Sequence, residues 1–248
     1  MISFNSRGLL LDIEGTTSSI RFVYDEMFPF ARRELADYLD KYWKSSELAE
    51  TCEVMARDAG HTTCVDWWKG AEDESAQRLI VRDEATRLMD GDVKATGLKQ
   101  LQGLIWRVGF ESGEMRAHLF DDVLPALEHW SSIQRDVRIF SSGSVQAQKL
   151  FFGHTIYGDV LHFFRGHYDT TIGSKREPDS YSAIAAEFEL PGADILFLSD
   201  VVAELDAARE AEMQTALCVR PGNTEIPEGT NHPRFTSFCE IELQSSRS

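Results

Sequence analysis

Four short runs dominated by Leu, Ile, Val and Phe constrain the fold of this chain most: GLLLDI (8–13), DVRIFSSG (136–143), DILFLSD (194–200) and QTALCVR (214–220). Each is too short for a helix of ordinary length and lacks the alternation of a half-exposed strand. Each therefore reads as a strand buried on both faces that stops abruptly at polar residues or a turn. Between the later runs lie segments of helical character, SVQAQKLFF (144–152), PDSYSAIAAEF (178–188) and AELDAAREA (203–211). DDVLPALEHW (121–130) reads as the helix that leads into the second run. Strands alternating with helices imply parallel pairing through right-handed crossovers, hence an α/β fold with a doubly wound parallel sheet. In such sheets ligands bind outside the carboxyl ends of the strands. The chemistry of this chain is to be sought where its apolar runs end.

Residues 21–117 break the alternation. Met27, Ala31, Leu35 and Leu39 recur at helical spacing, as do Leu98, Leu101, Ile105 and Val108. The block predicts an inserted all-helical cap, residues 21–117, packed over the strand ends of a catalytic core formed by residues 1–20 and 118–248. A chain of 248 residues is long enough for both.

Composition narrows the function. Lys and Arg number 25 against 41 Asp and Glu, a net charge of −16. Nucleic acid is thereby disfavoured as a partner, because phosphate backbones are bound by clustered cations. A small phosphorylated ligand would need a local source of positive charge. No apolar run approaches the length of a membrane span, and MISFNSRGLLLDI turns acidic too soon for a secretory signal. Cys52, Cys64, Cys218 and Cys239 show neither CxxC pairing nor zinc-ligand spacing. They read as reduced thiols of a cytoplasmic protein.

Four polar groups stand where a packed core does not require them. Asp12 and Glu14 close the first run, followed by Gly15, Thr16 and Thr17. SSGS (141–144) closes the second. Lys175, in GSKREPDSY, precedes the helix that begins near Pro178. Asp200 closes the third run, with Glu204 four residues on. Singly, each has an ordinary explanation as a strand terminus, a helix cap or an exposed lysine. Together, in this order, they suit phosphoryl transfer. An aspartate can attack phosphorus to form an acyl phosphate. Repulsion between that carboxylate and a phosphate dianion falls when Mg²⁺ is held by carboxylate and carbonyl oxygens, which Asp12, Ile13 or Glu14 (through the backbone) and Asp200 can supply. Ser141 and the N–H groups of residues 142–144 can receive phosphoryl oxygens at a helix N-terminus. Lys175 supplies the local cation. Glu14, two residues past Asp12, lies on the same side of an extended segment. There it can protonate the leaving alcohol and then activate water.

These elements resemble the haloacid dehalogenase superfamily, whose phosphatases use an aspartate nucleophile and Mg²⁺. Most of those phosphatases carry Asp, where this chain has Glu14, two residues after the nucleophile. DIEGTTSSIRFV (12–23), MFPFAR (27–32), LKQLQGLIWR (98–107), FSSGSVQAQKLFFGH (140–154), GHYDTTIGSK (166–175), ILFLSD (195–200) and VRPGN (219–223) narrow the resemblance to the enolase-phosphatases of methionine salvage. It runs from about residue 9 to TSF near 236. It implies a haloacid dehalogenase-like Rossmannoid core with a helical cap, and metal ligation by Asp12, Glu14 and Asp200. It also implies substrate binding by Ser141, Ser142 and Lys175, with Asp12, Glu14 and Lys175 catalytic. One Mg²⁺ per chain and a cytoplasmic monomer are expected. The implied substrate is a small phosphorylated diketone, 2,3-diketo-5-methylthiopentyl 1-phosphate, which is enolised and then dephosphorylated to an acireductone. The resemblance makes Glu14 a metal contact, whereas its chemistry makes it an acid and base. Both hold at once only if its backbone carbonyl faces the metal. Glu14, His154 and the acids of the insert remain open as the enolising base. A plain small-molecule phosphatase of the same superfamily is the nearest alternative.

Overall fold

In the computed structural model, which describes residues 1–244, the first apolar run becomes the central strand of a parallel sheet. In chain order, β1 (Ile2–Phe4) and β2 (Gly8–Leu11) come first, and a π-helical segment, Phe22–Met27, follows. Five helices come next: α1 (Phe28–Tyr42), α2 (Ser46–Asp58), α3 (Cys64–Trp67), α4 (Glu74–Asp90) and α5 (Thr96–Glu111). The chain then alternates through α6 (Val123–Ser132), β3 (Asp136–Phe140), α7 (Val145–Gly153), β4 (Phe164–Tyr168), α8 (Pro178–Phe188), β5 (Ile195–Ser199), α9 (Val202–Glu210) and β6 (Gln214–Cys218). Short strands β7 (Arg234–Phe235) and β8 (Ile241–Leu243) come last.

Six strands form one sheet in the order β4-β3-β2-β5-β6-β7, and every pair is parallel. The chain winds outward from β2 through β3 to β4, then crosses back to β5 on the other side of β2. The direction of winding reverses between β2 and β5, and such a switch point opens a crevice at the strands' carboxyl ends. Leu11 pairs with Leu198 there. All residues of β2 and β5 are buried, which accounts for their unbroken apolar sequences. Phe140, Tyr181, Ile184, Phe197, Leu205 and Leu217 share the core with Leu10, packing α8 and α9 onto the sheet. Each such side chain contributes about 1.5–3 kcal/mol on burial.

The chain forms two compact units, Met1–Val23 with Arg116–Ser248, and Tyr24–Met115. The second is built from helices among its described residues. Its α1 buries Ala31, Leu35 and Leu39 and its α5 buries Leu98, Leu101 and Ile105, as the periodicity predicts, whereas Val108 is only half-buried and Phe30 is buried in addition. Ser45 and Asp73 cap α2 and α4 by accepting from Leu48 N and Ala76 N.

Three features lay outside the sequence expectation. β1 and β8 pair in a separate two-stranded sheet. β4, sequence FRGHY, is the outermost strand beside β3, with only Phe164 fully buried, so no apolar run marks it. The ladder strands also end early, at Leu11, Phe140, Ser199 and Cys218, which leaves Asp12, Ser141 and Asp200 just beyond the sheet. Among the described residues no helix is long and apolar enough to cross a membrane. Cys52, Cys64 and Cys218 are buried free thiols, and Cys239 is an exposed one.

Candidate active site

Where β2 stops, the chain folds into a tight loop. Asp12, 2 % exposed, still donates its N–H to Leu198 O at 3.0 Å. The Ile13 carbonyl then accepts from Thr16, Thr17 and Ser18 at 3.2, 3.0 and 2.9 Å, which turns the chain back on itself. Gly15 makes the turn with φ +73°. A Cβ there would lie 2.3 Å from Asp200 Oδ2, so both the backbone conformation and the close approach of Asp200 require glycine.

Lys175, 6 % exposed, reaches this loop from the segment before α8. Its Nζ lies 2.6 Å from Asp12 Oδ1 and 2.7 Å from Glu204 Oε2. Hydroxyls from the first turn of α8 hold that segment: Tyr181 Oη donates to Lys175 O, and Ser180 Oγ to Ser174 O, both at 2.7 Å. On the other side, Ser141 Oγ donates to Glu14 Oε2 at 3.3 Å and accepts from Gly143 N at 3.2 Å. Ser144 caps α7 by accepting from Ala147 N.

Four carboxyl groups, Asp12, Glu14, Asp200 and Glu204, thus share one buried cation. Electrostatics follow from that imbalance. Burial and then the Asp12 charge raise the Glu14 pKa. Burial, with Asp12 and Glu204, raises Asp200 to about 7. Burial and Asp12 likewise raise Glu204 to about 7. Burial opposes the charge of Lys175, but Asp12 and Glu204 outweigh it and hold its pKa above the ordinary lysine value. The lysine therefore stays charged, while Glu14, Asp200 and Glu204 hold protons more readily than free carboxyls.

The excess negative charge and all-oxygen donors suit a small hard divalent cation. Among the described residues, however, no group of three or more His, Cys, Asp or Glu side chains is gathered to hold a metal. The Glu14 carboxylate faces the Ser141 hydroxyl instead. What remains for a cation is the pair Asp12 and Asp200 with backbone oxygen of the loop, a donor set compatible with an ion that keeps part of its water shell.

Asp12, Glu14, Ser141, Lys175 and Asp200 are thus brought together. Ser142 is exposed on the β3–α7 turn and makes no hydrogen bond to that cluster among the described residues. His154 ends α7, with Nδ1 2.9 Å from Leu150 O, in a helix-capping position.

The family model for haloacid dehalogenase-like hydrolases matches residues 7–212. Enolase-phosphatase E1 of Danio rerio is 40 % identical over 250 residues, covering 96 % of this chain and 95 % of its own. This chain belongs to the enolase-phosphatase E1 family. The family member of Synechococcus elongatus is 43 % identical over 235 residues, covering 94 % of this chain and 96 % of its own. The solved structure of the UTR4 protein of Saccharomyces cerevisiae is similar with a TM-score of 0.76 at 29 % identity, covering 94 % of this chain and 98 % of that one.

For this enolase-phosphatase chain, two site residues escaped the reading of its motifs. Glu204 was marked only by its spacing from Asp200, and Ser199 not at all. Ser199 Oγ donates to Glu204 Oε2 at 3.1 Å and accepts from Val201 N at 3.1 Å. The available signal was an acid close behind Asp200, at the third residue of α9.

Proposed function

We infer that this protein converts 2,3-diketo-5-methylthiopentyl 1-phosphate to the acireductone 1,2-dihydroxy-3-keto-5-methylthiopentene and phosphate, the enolase-phosphatase step of methionine salvage. It does so in the cytoplasm with one Mg²⁺ per chain. The reading takes the protein as a monomer. The observation that carries it is the buried Asp12 at the end of the central strand, oriented by Lys175 at 2.6 Å beside a second carboxyl, Glu14, that accepts a hydrogen bond from Ser141.

Asp12 and Asp200, with the backbone carbonyl of Glu14, are the groups that would hold Mg²⁺. The ion supplies the positive charge that lets a carboxylate meet a phosphate dianion and that stabilises an enolate oxygen. In the first half-reaction, Glu14 takes a proton from C1, next to the C2 carbonyl. In the second, Asp12 attacks phosphorus while the protonated Glu14 donates to the leaving enediol oxygen. Glu14 then deprotonates the water that cleaves the aspartyl phosphate, and the proton so gained passes to the C2 oxygen of the product enolate, which returns Glu14 to its carboxylate form. Lys175 balances the charge of Asp12, while Ser141 and the N–H groups at the start of α7 receive phosphoryl oxygens. Ser142, exposed on the same turn, contributes to substrate binding from the solvent side.

The test is to supply the purified protein with the diketo phosphate and Mg²⁺, and to follow enediol absorbance together with phosphate. Enol should form and phosphate should follow. Phosphate without an enol intermediate or acireductone would establish a plain phosphatase instead.

A further inference from the structure

VRPGN (219–223), directly after β6, has no part in the chemistry above, yet both its polar side chains reach the loop that carries Asp12 and Glu14. Asn223 Nδ2 donates to Gly15 O at 2.9 Å and to Cys218 O at 3.3 Å. Arg220, 8 % exposed, directs Nε to Thr16 O at 3.4 Å, Nη1 to Thr236 O at 2.7 Å and Nη2 to Asp122 at 2.9 Å. Its guanidinium lies 4.3 Å from the centre of the Phe120 ring. Phe120 N in turn donates to Thr17 O at 3.1 Å. Three consecutive carbonyls, of Gly15, Thr16 and Thr17, are therefore each held from outside the loop.

These restraints matter because Gly15 resists rotation poorly by itself. Its left-handed φ lies in a region that glycine enters and leaves freely, and its carbonyl, in the Gly15–Thr16 peptide, stands one Cα beyond the peptide that joins it to Glu14. Rotation about Gly15 would let the loop end that carries Glu14 shift against Ser141 and would disturb the approach of Asp200. The same point beside Gly15 is flanked by Asp200 Oδ2 and Asn223 Oδ1, at 2.3 and 2.9 Å from where a Cβ would stand. Asn223 thus grips the loop on the side where Asp200 meets it.

We propose that Asn223 is a positioning residue for the reaction: its amide fixes the Gly15 carbonyl and so holds Glu14 in register with Asp12, with Arg220 as the second anchor at Thr16. The inference rests on the roles given to Asp12 and Glu14 above. Arg220 is buried and multiply bonded, so its loss would disturb the fold. Asn223 is only half-buried, and water can satisfy the Gly15 carbonyl when its side chain is removed.

The full-length Asn223→Ala and Asn223→Gln variants test this with the diketo phosphate and Mg²⁺. Displacement of a reacting group by about 1 Å costs about 100-fold, so Asn223→Ala should lower kcat by about that factor with KM little changed. Asn223→Gln, which restores an amide donor, should recover part of it. In the metal-free protein, hydrogen exchange should accelerate in the peptide spanning residues 12–20 and stay unchanged in β3 and β5. Wild-type kcat in Asn223→Ala would overturn the proposal. So would a rise in KM alone, or exchange accelerated throughout the sheet. Retained turnover in Asp12→Asn would instead overturn the reading on which it rests.

Discussion

Asp200→Asn should stabilise the metal-free protein at pH 8 while removing its turnover. Asp200 stands among Asp12, Glu14 and Glu204 with Lys175 as their shared cation, and burial and its acidic neighbours raise its pKa from 3.8 to about 7. One pKa unit is worth about 1.4 kcal/mol, so ionising this carboxyl in the fold costs at most about 4 kcal/mol. Adjustment of the four acids, with an effective dielectric near about 20, brings the expected figure to about 2 kcal/mol. The amide keeps the shape beside Gly15 and carries no charge. The sign follows from linkage: the folded state holds this proton more tightly than the unfolded state. The corresponding stability is complete below about pH 4 and is lost as pH rises through about 7. The advantage of the variant is therefore complete at pH 8 and small by about pH 4. Thermal unfolding in chelator should show a melting temperature about 4–8 °C higher for the variant at pH 8. Phosphate release with Mg²⁺ should be lost in the same preparation. A variant that melts below the wild type at pH 8, or whose advantage does not shrink toward pH 4, would refute the reasoning.

Other substitutions should act in the opposite direction. Lys175→Met strips the cation from two buried carboxylates and should cost about 3–5 kcal/mol in denaturant unfolding, besides abolishing turnover; an unchanged unfolding midpoint would count against its two buried ion pairs. Gly15→Ala places a methyl group 2.3 Å from Asp200 Oδ2 at φ +73° and should cost about 1–3 kcal/mol with a large fall in kcat, read by melting and steady-state kinetics. Chelator should stop phosphate release and added Mg²⁺ should restore it; turnover insensitive to chelator would contradict the oxygen-ligated cation.

The central strands were legible because burial on both faces leaves a continuous apolar signature, as in GLLL and ILFLS. β4 was not, because an outermost strand can keep Arg165, Gly166 and His167 partly exposed. Gly166 reads as a breaker in sequence, whereas in the sheet it makes room for the Arg138 side chain, 2.8 Å from where a Cβ would stand. At the site, Asp12, Ser141 and Asp200 were readable because each interrupts an apolar run at the point where a strand ends. Lys175 was placed by chemistry, since an acidic chain handling phosphate needs a cation. Glu204 and Ser199 were harder: their meaning lies in contacts with Lys175 and with each other, and those exist only once α9 starts beside β5. The contact of the Glu14 carboxylate with Ser141 likewise exists only in three dimensions.

The central claim is that Asp12 carries the phosphoryl group. Acid quenching during a single turnover of substrate labelled in its phosphate, followed by borohydride reduction and peptide mapping, tests it directly. The account predicts label on the peptide containing Asp12, conversion of Asp12 itself by reduction, and neither label nor phosphate release in Asp12→Asn. Phosphate formed without any enzyme-bound label, or label on another residue, would contradict it.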